Sequence, residues 1–152
     1  MIAKGSVLFH KKFIYETGAV GQKLLVILNS LRKNQPFLSV KTTSQQDNKP
    51  KTPGCIDVGH RSLFYIPARK DFFVDDTWVQ IYSFEAIDYD YVVSHPDIKE
   101  IGTLKLKTVD DIITCLYKTW GDNIAAWQKK VLQPSLSESV LKLKNRFTKL
   151  KP

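Results

Sequence analysis

The sequence predicts a mainly β domain followed by helices towards its C-terminal end. Short apolar runs separated by glycines and prolines occupy the first two-thirds of the 152 residues, a pattern typical of strands joined by turns. After about residue 107 the apolar residues recur instead at the spacing of an amphipathic helix. A content of 43% apolar and 11% aromatic residues is that of a chain that buries a core.

The strand-like runs predict a small barrel or one strongly bent antiparallel sheet over residues 5–93. The run KLLVIL is continuously apolar, as expected for a central buried strand. Near Trp78 the side chains alternate between two faces, Trp78 and Tyr82 on one and Val79 and Ile81 on the other. The predicted strands cover residues 5–9, 23–28, 37–41, 62–66 and 78–82.

The stretch TVDDIITCLYKTWG, which begins at Thr108, predicts a helix packed on this sheet. Thr108 is a good N-cap and Asp111 completes a capping box, while Gly121 ends the helix. The apolar stripe consists of Val109, Ile112, Ile113, Leu116, Tyr117 and Trp120. Ile113 and Trp120 are therefore expected to be largely buried.

Two further helices are predicted beyond this stripe. One begins after Asp122 and stops before Pro134, and the other covers residues 135–150 and is basic and amphipathic. Helices of the second kind commonly dock on their own domain, which is the expectation here. Binding to a membrane surface or to nucleic acid is the alternative.

Hydropathy, cysteine use and motifs exclude several classes of protein. No window approaches 18 uninterrupted apolar residues, and the N-terminus lacks the apolar segment of a signal peptide, so no membrane span is expected. Cys55 and Cys115 lie far apart and predict two lone thiols in a reducing cytoplasm. The chain has no nucleotide-binding or hydrolase fingerprint and no Cys/His cluster with metal-ligand spacing, so neither cofactor nor metal is expected.

The net charge of +8 is unevenly distributed along the chain. Residues 1–70 carry 12 basic residues against three acidic ones, residues 71–122 carry four against 11, and residues 123–152 carry seven against one. A basic first half favours a polyanionic partner such as nucleic acid, and an ordinary solvated surface is the alternative.

The third predicted strand ends in a cluster of polar side chains. In FLSVKTTSQ, an alternating apolar run turns polar at Lys41 and continues through two threonines, a serine and a glutamine. These residues either begin a turn or deliver hydroxyl groups to a phosphate. His60 and Arg61, between turn signals, form a second pair that could meet a phosphate.

Five segments follow one another in a recognisable order. KGSVLFH is a first strand, ETGAVGQ a glycine-containing loop, KLLVILNS a buried strand and FLSVKTTSQ a strand with a polar end. IGTLKLKTVDDIITCLYKTWG then gives a short turn and an amphipathic helix. This ordered set resembles the MazF/PemK toxin family over about residues 4–121. By that resemblance, residues 1–121 are the toxin-like domain and residues 122–152 a C-terminal extension.

The resemblance implies an SH3-like, CcdB-type small barrel that is usually a homodimer. It further implies a cytoplasmic toxin, paired with an acidic antitoxin protein, that cleaves single-stranded RNA without metal by attack of the ribose 2′-hydroxyl on the adjacent phosphate. Lys23 and Thr43 occupy the positions of the family's catalytic residues. The RNA-binding surface is expected to include Gln22, Lys41, Ser44, His60 and Arg61.

At one position the chain departs from the family pattern. Lys23-Leu24 stands where Arg-Pro is expected, so the charge is kept but the planar bidentate fork is lost. A lysine there can neutralise an oxyanion or, with a lowered pKa, exchange a proton; it can equally mark lost activity. A catalytically silent barrel that binds nucleic acid or a protein partner is therefore the alternative function.

Overall fold

Seven strands form one antiparallel sheet in the computed structural model, which describes residues 2–30 and 35–132. They are β1 (Ser6–Ile14), β2 (Val20–Ile27), β3 (Phe37–Thr43), β4 (Gly54–Ile56), β5 (Leu63–Ile66), β6 (Thr77–Ile87) and β7 (Ile98–Thr103). Their order across the sheet is β4-β5-β6-β3-β2-β1-β7, and each neighbouring pair is antiparallel. The prediction of a mainly β chain with helices towards the C-terminal end is confirmed.

The five predicted strands are present, but sequence patterns miss two others. Strand β4 has only three residues, too few for a period to show. Strand β7 contains no buried residue, so it lacks the apolar alternation that marks a half-buried strand. The sheet consequently extends to Thr103 rather than ending at residue 93, and Tyr89–Ser94 form a short helix, α1.

Irregular register bends the sheet. Between β3 and β6 the pairing passes from Ser39–Glu85 to Lys41–Gln80, so β6 carries extra residues opposite Val40. Such bulges bend a strand and increase its twist. Within the described residues β4 and β7 are not paired with each other, so the sheet is open at both edges.

Each face of the sheet carries an apolar cluster. On one face, helix α2 (Leu106–Trp120) packs Ile112, Ile113 and Leu116 against strand residues that include Val26 and Val79. On the other face, α1 contributes Val92 to a separate cluster, whose further buried members are Leu8, Leu25, Ile27 and Phe37. The helices therefore cover opposite faces of the sheet.

The chain continues past α2 through a 3-10 turn, Gly121–Asn123, into helical residues 126–132. Ile124, Val131 and Leu132 are buried in the same cluster as α2. The short helix predicted after Asp122 is thus present and packs on the sheet domain. The basic helix predicted over residues 135–150 lies outside the described residues.

Helix α2 begins three residues earlier than the predicted capping box. Its N-cap is Lys105, which makes no side-chain cap bond. Asp71, from the loop before β6, accepts hydrogen bonds from the Lys105 N–H at 3.2 Å and from the Thr108 hydroxyl at 2.5 Å. A carboxylate near a helix N-terminus satisfies unpaired N–H groups and complements the helix dipole. The cap is supplied by a distant loop, which a local motif cannot reveal.

A disulfide joins Cys55 in β4 to Cys115 in α2. The prediction of two lone thiols is therefore wrong, and the reducing cytoplasm inferred from them loses that support. The two Cα atoms lie 5.4 Å apart although the residues are 60 positions apart in sequence. Helix α2 packs against β4, and this tertiary contact brings the two sulfurs together. Cys115 is buried, as predicted.

Ile113 is fully buried, whereas Trp120 packs on the core but stays partly exposed. We expect Ile113→Ala to lower the free energy of unfolding by about 2–5 kcal/mol, because it removes packed methyl groups and leaves a cavity. Leu106→Ala, at a position 61% exposed on the same helix, is the control and should change it by less than about 0.5 kcal/mol. Urea unfolding midpoints at an unchanged m-value measure both. Equal losses would contradict the assigned core face.

Candidate functional site

A cleft of about 350 Å³ opens where β2 begins and β3 ends. Its lining consists of Phe9, Tyr15, Gln22, Lys23, Leu24, Thr42, Thr43, Ser44, Gln45 and Thr77. Four residues predicted for the site, Gln22, Lys23, Thr43 and Ser44, are among them. The polar end of β3 therefore does form one wall of a cleft.

The pairing of β2 with β3 sets Lys23 beside Thr43. Leu24 is paired with Thr42 in an antiparallel register, so Lys23 and Thr43 follow that last pair at the same end of the two strands, and both line the cleft. The two predicted catalytic residues are thus neighbours that two adjacent strands hold in place.

Lys23 is a half-buried amine without a partner. Within the part of the chain that the structure describes, its ammonium group makes no hydrogen bond or ion pair. Burial lowers the pKa of Lys23, and the positive charges of Lys41 and Lys49 lower it further. At neutral pH a larger fraction of this amine is therefore neutral than in a solvated lysine.

Lys41 lies next to the cleft but does not line it. Its Nζ is 3.2 Å from a carboxylate oxygen of Glu85 and 4.9 Å from the centre of the Phe13 ring. These contacts hold the ammonium to one side of the cleft, where its charge still acts on Lys23. In this arrangement Lys41 is not positioned to contact a ligand in the cleft directly.

Sequence patterns miss Lys49, which the loop after β3 carries towards Lys23. Its Nζ donates a hydrogen bond to the Gln45 carbonyl at 2.8 Å and lies 6.0 Å from the centre of the Trp78 ring. The Trp78 indole N–H in turn donates to the Pro50 carbonyl at 2.8 Å, which fixes the loop against the sheet. A polar loop has no apolar periodicity, so its sequence pattern does not single out Lys49. The one local signal is the spacing of four residues between Gln45 and Lys49, which matches the hydrogen bond between them.

Thr43 has a hydroxyl proton that a ligand can accept. Its Oγ1 accepts the Gln45 N–H at 3.2 Å, and the described residues offer no acceptor for the hydroxyl proton. Thr42, by contrast, is buried and directs its hydroxyl towards the Leu24 carbonyl at 3.5 Å. Of the two threonines that end β3, Thr43 is the available donor.

Tyr15, which follows β1, forms another wall that the sequence does not predict. Its hydroxyl donates to the Gln22 carbonyl at 3.0 Å, and its ring lies close to Gly21. A Cβ atom at Gly21 would sit 2.7 Å from a ring carbon of Tyr15, so a side chain there would displace the ring. Gly21 thus permits the close approach that shapes the cleft.

His60 and Arg61 do not reach the cleft. They lie on the exposed 3-10 turn Gly59–Arg61, between β4 and β5 near one edge of the sheet. The Arg61 guanidinium stacks 5.1 Å from the centre of the Tyr82 ring. The expectation that this pair lines the same surface as Lys23 is not met, because the turn packs on β6 and neither residue belongs to the lining of the cleft.

The chemistry of the lining favours an anion. It combines one amine, four aliphatic hydroxyls and two side-chain amides, and it contains no carboxylate. The Thr42 and Thr77 hydroxyls donate to backbone carbonyls, which leaves those of Thr43 and Ser44 for a ligand. Hydroxyl, amide and ammonium groups are hydrogen-bond donors to phosphate oxygens. A carboxylate in the wall would repel such a ligand, so this lining suits a phosphate group better than it suits a cation.

Comparison with known proteins leaves the family open. No protein-family model and no curated protein matches this chain. In residues 2–30 and 35–132, no helix is both long and apolar enough to cross a membrane. These described residues also contain no group of three or more His, Cys, Asp or Glu side chains that could hold a metal ion. The function is therefore argued from the cleft itself.

His10 is buried beside the site, on β1 directly opposite Lys23. Its Nδ1 accepts the Lys12 N–H at 3.3 Å, and its Nε2 lies 3.2 Å from the Tyr91 hydroxyl. The His95 ring is 5.1 Å away, centre to centre. These contacts attach helix α1 and the segment after it to the strand that flanks the cleft.

We expect the free energy of unfolding to fall as the pH drops below about 6.5, the value for an unperturbed histidine. Burial lowers the pKa of His10 and the charge of His95 lowers it further, while Asp97 opposes them. The unfolded chain then binds the proton at a higher pH than the folded one, so acidification favours unfolding. Urea titrations from pH 7.5 to 5 measure the slope, and His10→Gln should flatten it. His60→Gln, at an exposed position, is the control, and an unaltered slope in His10→Gln would contradict the assignment.

Proposed function

We propose that this chain is a toxin-like endoribonuclease that cleaves single-stranded RNA without metal. The observation that carries the proposal is that Lys23 on β2 and Thr43 on the paired strand β3 line one cleft together with other hydrogen-bond donors. The resemblance to MazF/PemK toxins assigned roles to the same two residues on sequence order alone. Geometry and sequence order are independent arguments for one pair.

Cleavage by the ribose 2′-hydroxyl requires a base for that hydroxyl, an acid for the leaving 5′-oxygen, and positive charge at the phosphorane-like state. Lys23 is suited to more than one of these tasks, because it lines the cleft as an amine and burial lowers its pKa, which makes loss of its proton easier than in a solvated lysine. The neutral amine can accept the 2′-hydroxyl proton, and the resulting ammonium group then stabilises the phosphorane oxygens.

Thr43 and its neighbours would hold the phosphate in place. The Thr43 hydroxyl donates to a non-bridging oxygen, and Gln22 and Ser44, which line the same cleft, bind the flanking phosphate and sugar. Lys41 and Lys49 act at longer range, through charges that attract the RNA backbone. Binding in this scheme depends on salt concentration, while the chemical step depends on Lys23 and Thr43.

The wider expectations of the resemblance belong to the same proposal. They are an SH3-like, CcdB-type barrel geometry for the bent sheet, a homodimer, an acidic antitoxin that covers the basic cleft, and a cytoplasmic location where RNA is available. A neighbouring small gene for an acidic, partly disordered protein would support the antitoxin part.

The second candidate function is an RNA-binding or protein-binding module without catalysis. One observation favours it: besides the tyrosine hydroxyl, which is engaged by Gln22, Lys23 is the one ionisable group in the lining. A single amine must then serve as both base and acid. A cleft that only binds a phosphate needs no such second group.

Incubation of the purified protein with single-stranded RNA in EDTA separates the two functions. The ribonuclease proposal predicts fragments that end in a 2′,3′-cyclic phosphate and begin with a 5′-hydroxyl. Intact RNA together with salt-dependent binding would reject catalysis and select the binding module. Intact RNA without binding would reject both the ribonuclease and the RNA-binding module and would leave the protein-binding module.

A further inference from the structure

Among the described residues, Lys23 differs from four other lysines of the sheet domain in lacking a carboxylate partner, and it lines the cleft. Lys4, Lys41, Lys51 and Lys107 each lie within ion-pair distance of a carboxylate. The Lys23 amine lies in the cleft without such a partner and is half-buried. An amine of this kind is less firmly kept in its charged form, and the neutral amine is the nucleophile.

The groups around Lys23 are those that recognise a phosphate dianion. Thr43 offers a free hydroxyl proton from the neighbouring strand, Ser44 adds a second hydroxyl, and Lys49 supplies positive charge close enough to act on Lys23. A small molecule that carries both a phosphate and an electrophilic carbon would therefore be bound with that carbon near the Lys23 amine. A volume of about 350 Å³ leaves ample room for it.

We propose that Lys23 is a modification site, acylated directly by small acyl phosphates that the cleft binds through their phosphate group. The chemical class is defined by two features together, a phosphate dianion and an activated acyl carbon. No second enzyme is needed, because the cleft itself supplies the anion site and the nucleophile.

The reaction is an acyl transfer. The neutral Nζ attacks the carbonyl carbon of the acyl group, and a nitrogen–carbon bond forms. The bond between that carbon and the oxygen bridging it to phosphorus breaks. Inorganic phosphate leaves with the bonding electron pair, and the extra proton on nitrogen passes to phosphate or to water. The nearby positive charge of Lys49 favours the departing phosphate at longer range. The product is a neutral amide that can no longer accept a proton or stabilise an anion.

Acylation would therefore inactivate the cleft. That consequence rests on the proposed ribonuclease function, whereas the acylation itself does not. The modified chain has lost the one positive charge inside the lining and the base for the 2′-hydroxyl. The cell's supply of acyl phosphates would in this way control how much of the protein is active.

The test is site-resolved mass spectrometry of the full chain treated with acetyl phosphate at pH 7.5. The initial rate at Lys23 should exceed that at exposed Lys12 by at least about fivefold, because the amine is more often neutral and the donor is bound beside it. Excess inorganic phosphate should slow the reaction at Lys23 and leave Lys12 unaffected. The preference should disappear in concentrated urea.

Lys49→Gln should slow acylation of Lys23 by acetyl phosphate more than by neutral N-acetylimidazole, since only the first reagent uses the anion site. Equal rates at Lys23 and Lys12, or no protection by phosphate, would overturn the proposal. Because no RNA is present, these readings are independent of the proposed function: acylation of a protein that leaves RNA intact would reject the ribonuclease and keep the modification site.

Discussion

Thr43→Ala should slow cleavage of single-stranded RNA by about 10²-fold or more, which corresponds to about 2.7 kcal/mol of lost transition-state stabilisation. The reason is geometric. Thr43 is the one threonine at the end of β3 whose hydroxyl proton has no acceptor among the described residues, and it projects beside Lys23. Single-turnover rates with saturating protein isolate the chemical step from binding. Thr43→Ser, which keeps the hydroxyl, should retain most of the rate.

Lys23→Ala should cause a loss of similar size, and Lys23→Arg separates the two roles of the amine. If the reaction needs only charge, arginine preserves or raises the rate. If the reaction needs proton exchange, the arginine variant loses the rate, because a guanidinium is not deprotonated at working pH. Lys12→Ala, which removes an exposed lysine outside the cleft, controls for the general loss of positive charge. Cleavage by Lys23→Ala at the parent rate would remove Lys23 from the mechanism.

The sequence predicts the centre of the site better than its surroundings. The polar end of β3, which carries Thr43, is visible in the sequence itself, whereas Lys23 is indicated only by the resemblance to MazF/PemK toxins. The pairing of β2 with β3 brings the two strand ends together. Lys49 and Tyr15 could not be found in this way. Both lie outside regular strands, and their positions depend on contacts with Trp78 and Gly21 that no local pattern encodes.

The same division holds for the fold. Strands with a buried face were predictable because burial on one side enforces a period of two residues. The edge strands β4 and β7 do not show this period. Strand β4 has only three residues, and strand β7 has no buried residue. The disulfide escapes for a further reason: Cys55 and Cys115 become neighbours only after α2 has packed across the sheet, and spacing in the chain carries no information about that packing.

Reducing the Cys55–Cys115 disulfide should lower the free energy of unfolding by about 4 kcal/mol, on the chain-entropy estimate for a closed loop of this length. The loop spans 60 positions, so the cross-link removes many conformations from the unfolded chain. For a protein of this size the melting temperature should fall by about 2–4 °C for each kcal/mol, or about 10 °C in total. Thermal unfolding with and without a dithiol reductant measures the shift.

The matched control is the double variant Cys55→Ser/Cys115→Ala, which should melt near the temperature of the reduced parent and show no response to reductant. A parent that melts at one temperature in both conditions would contradict the cross-link.

The structural effect of reduction should be local, because β4 has three residues and pairs only with β5 among the described strands. Amide exchange should therefore increase first in β4, while β2 and β3 stay protected. Since the cleft is built on β2 and β3, RNA cleavage well below the melting temperature should survive reduction, and a parallel loss of activity would mean that the disulfide also shapes the cleft.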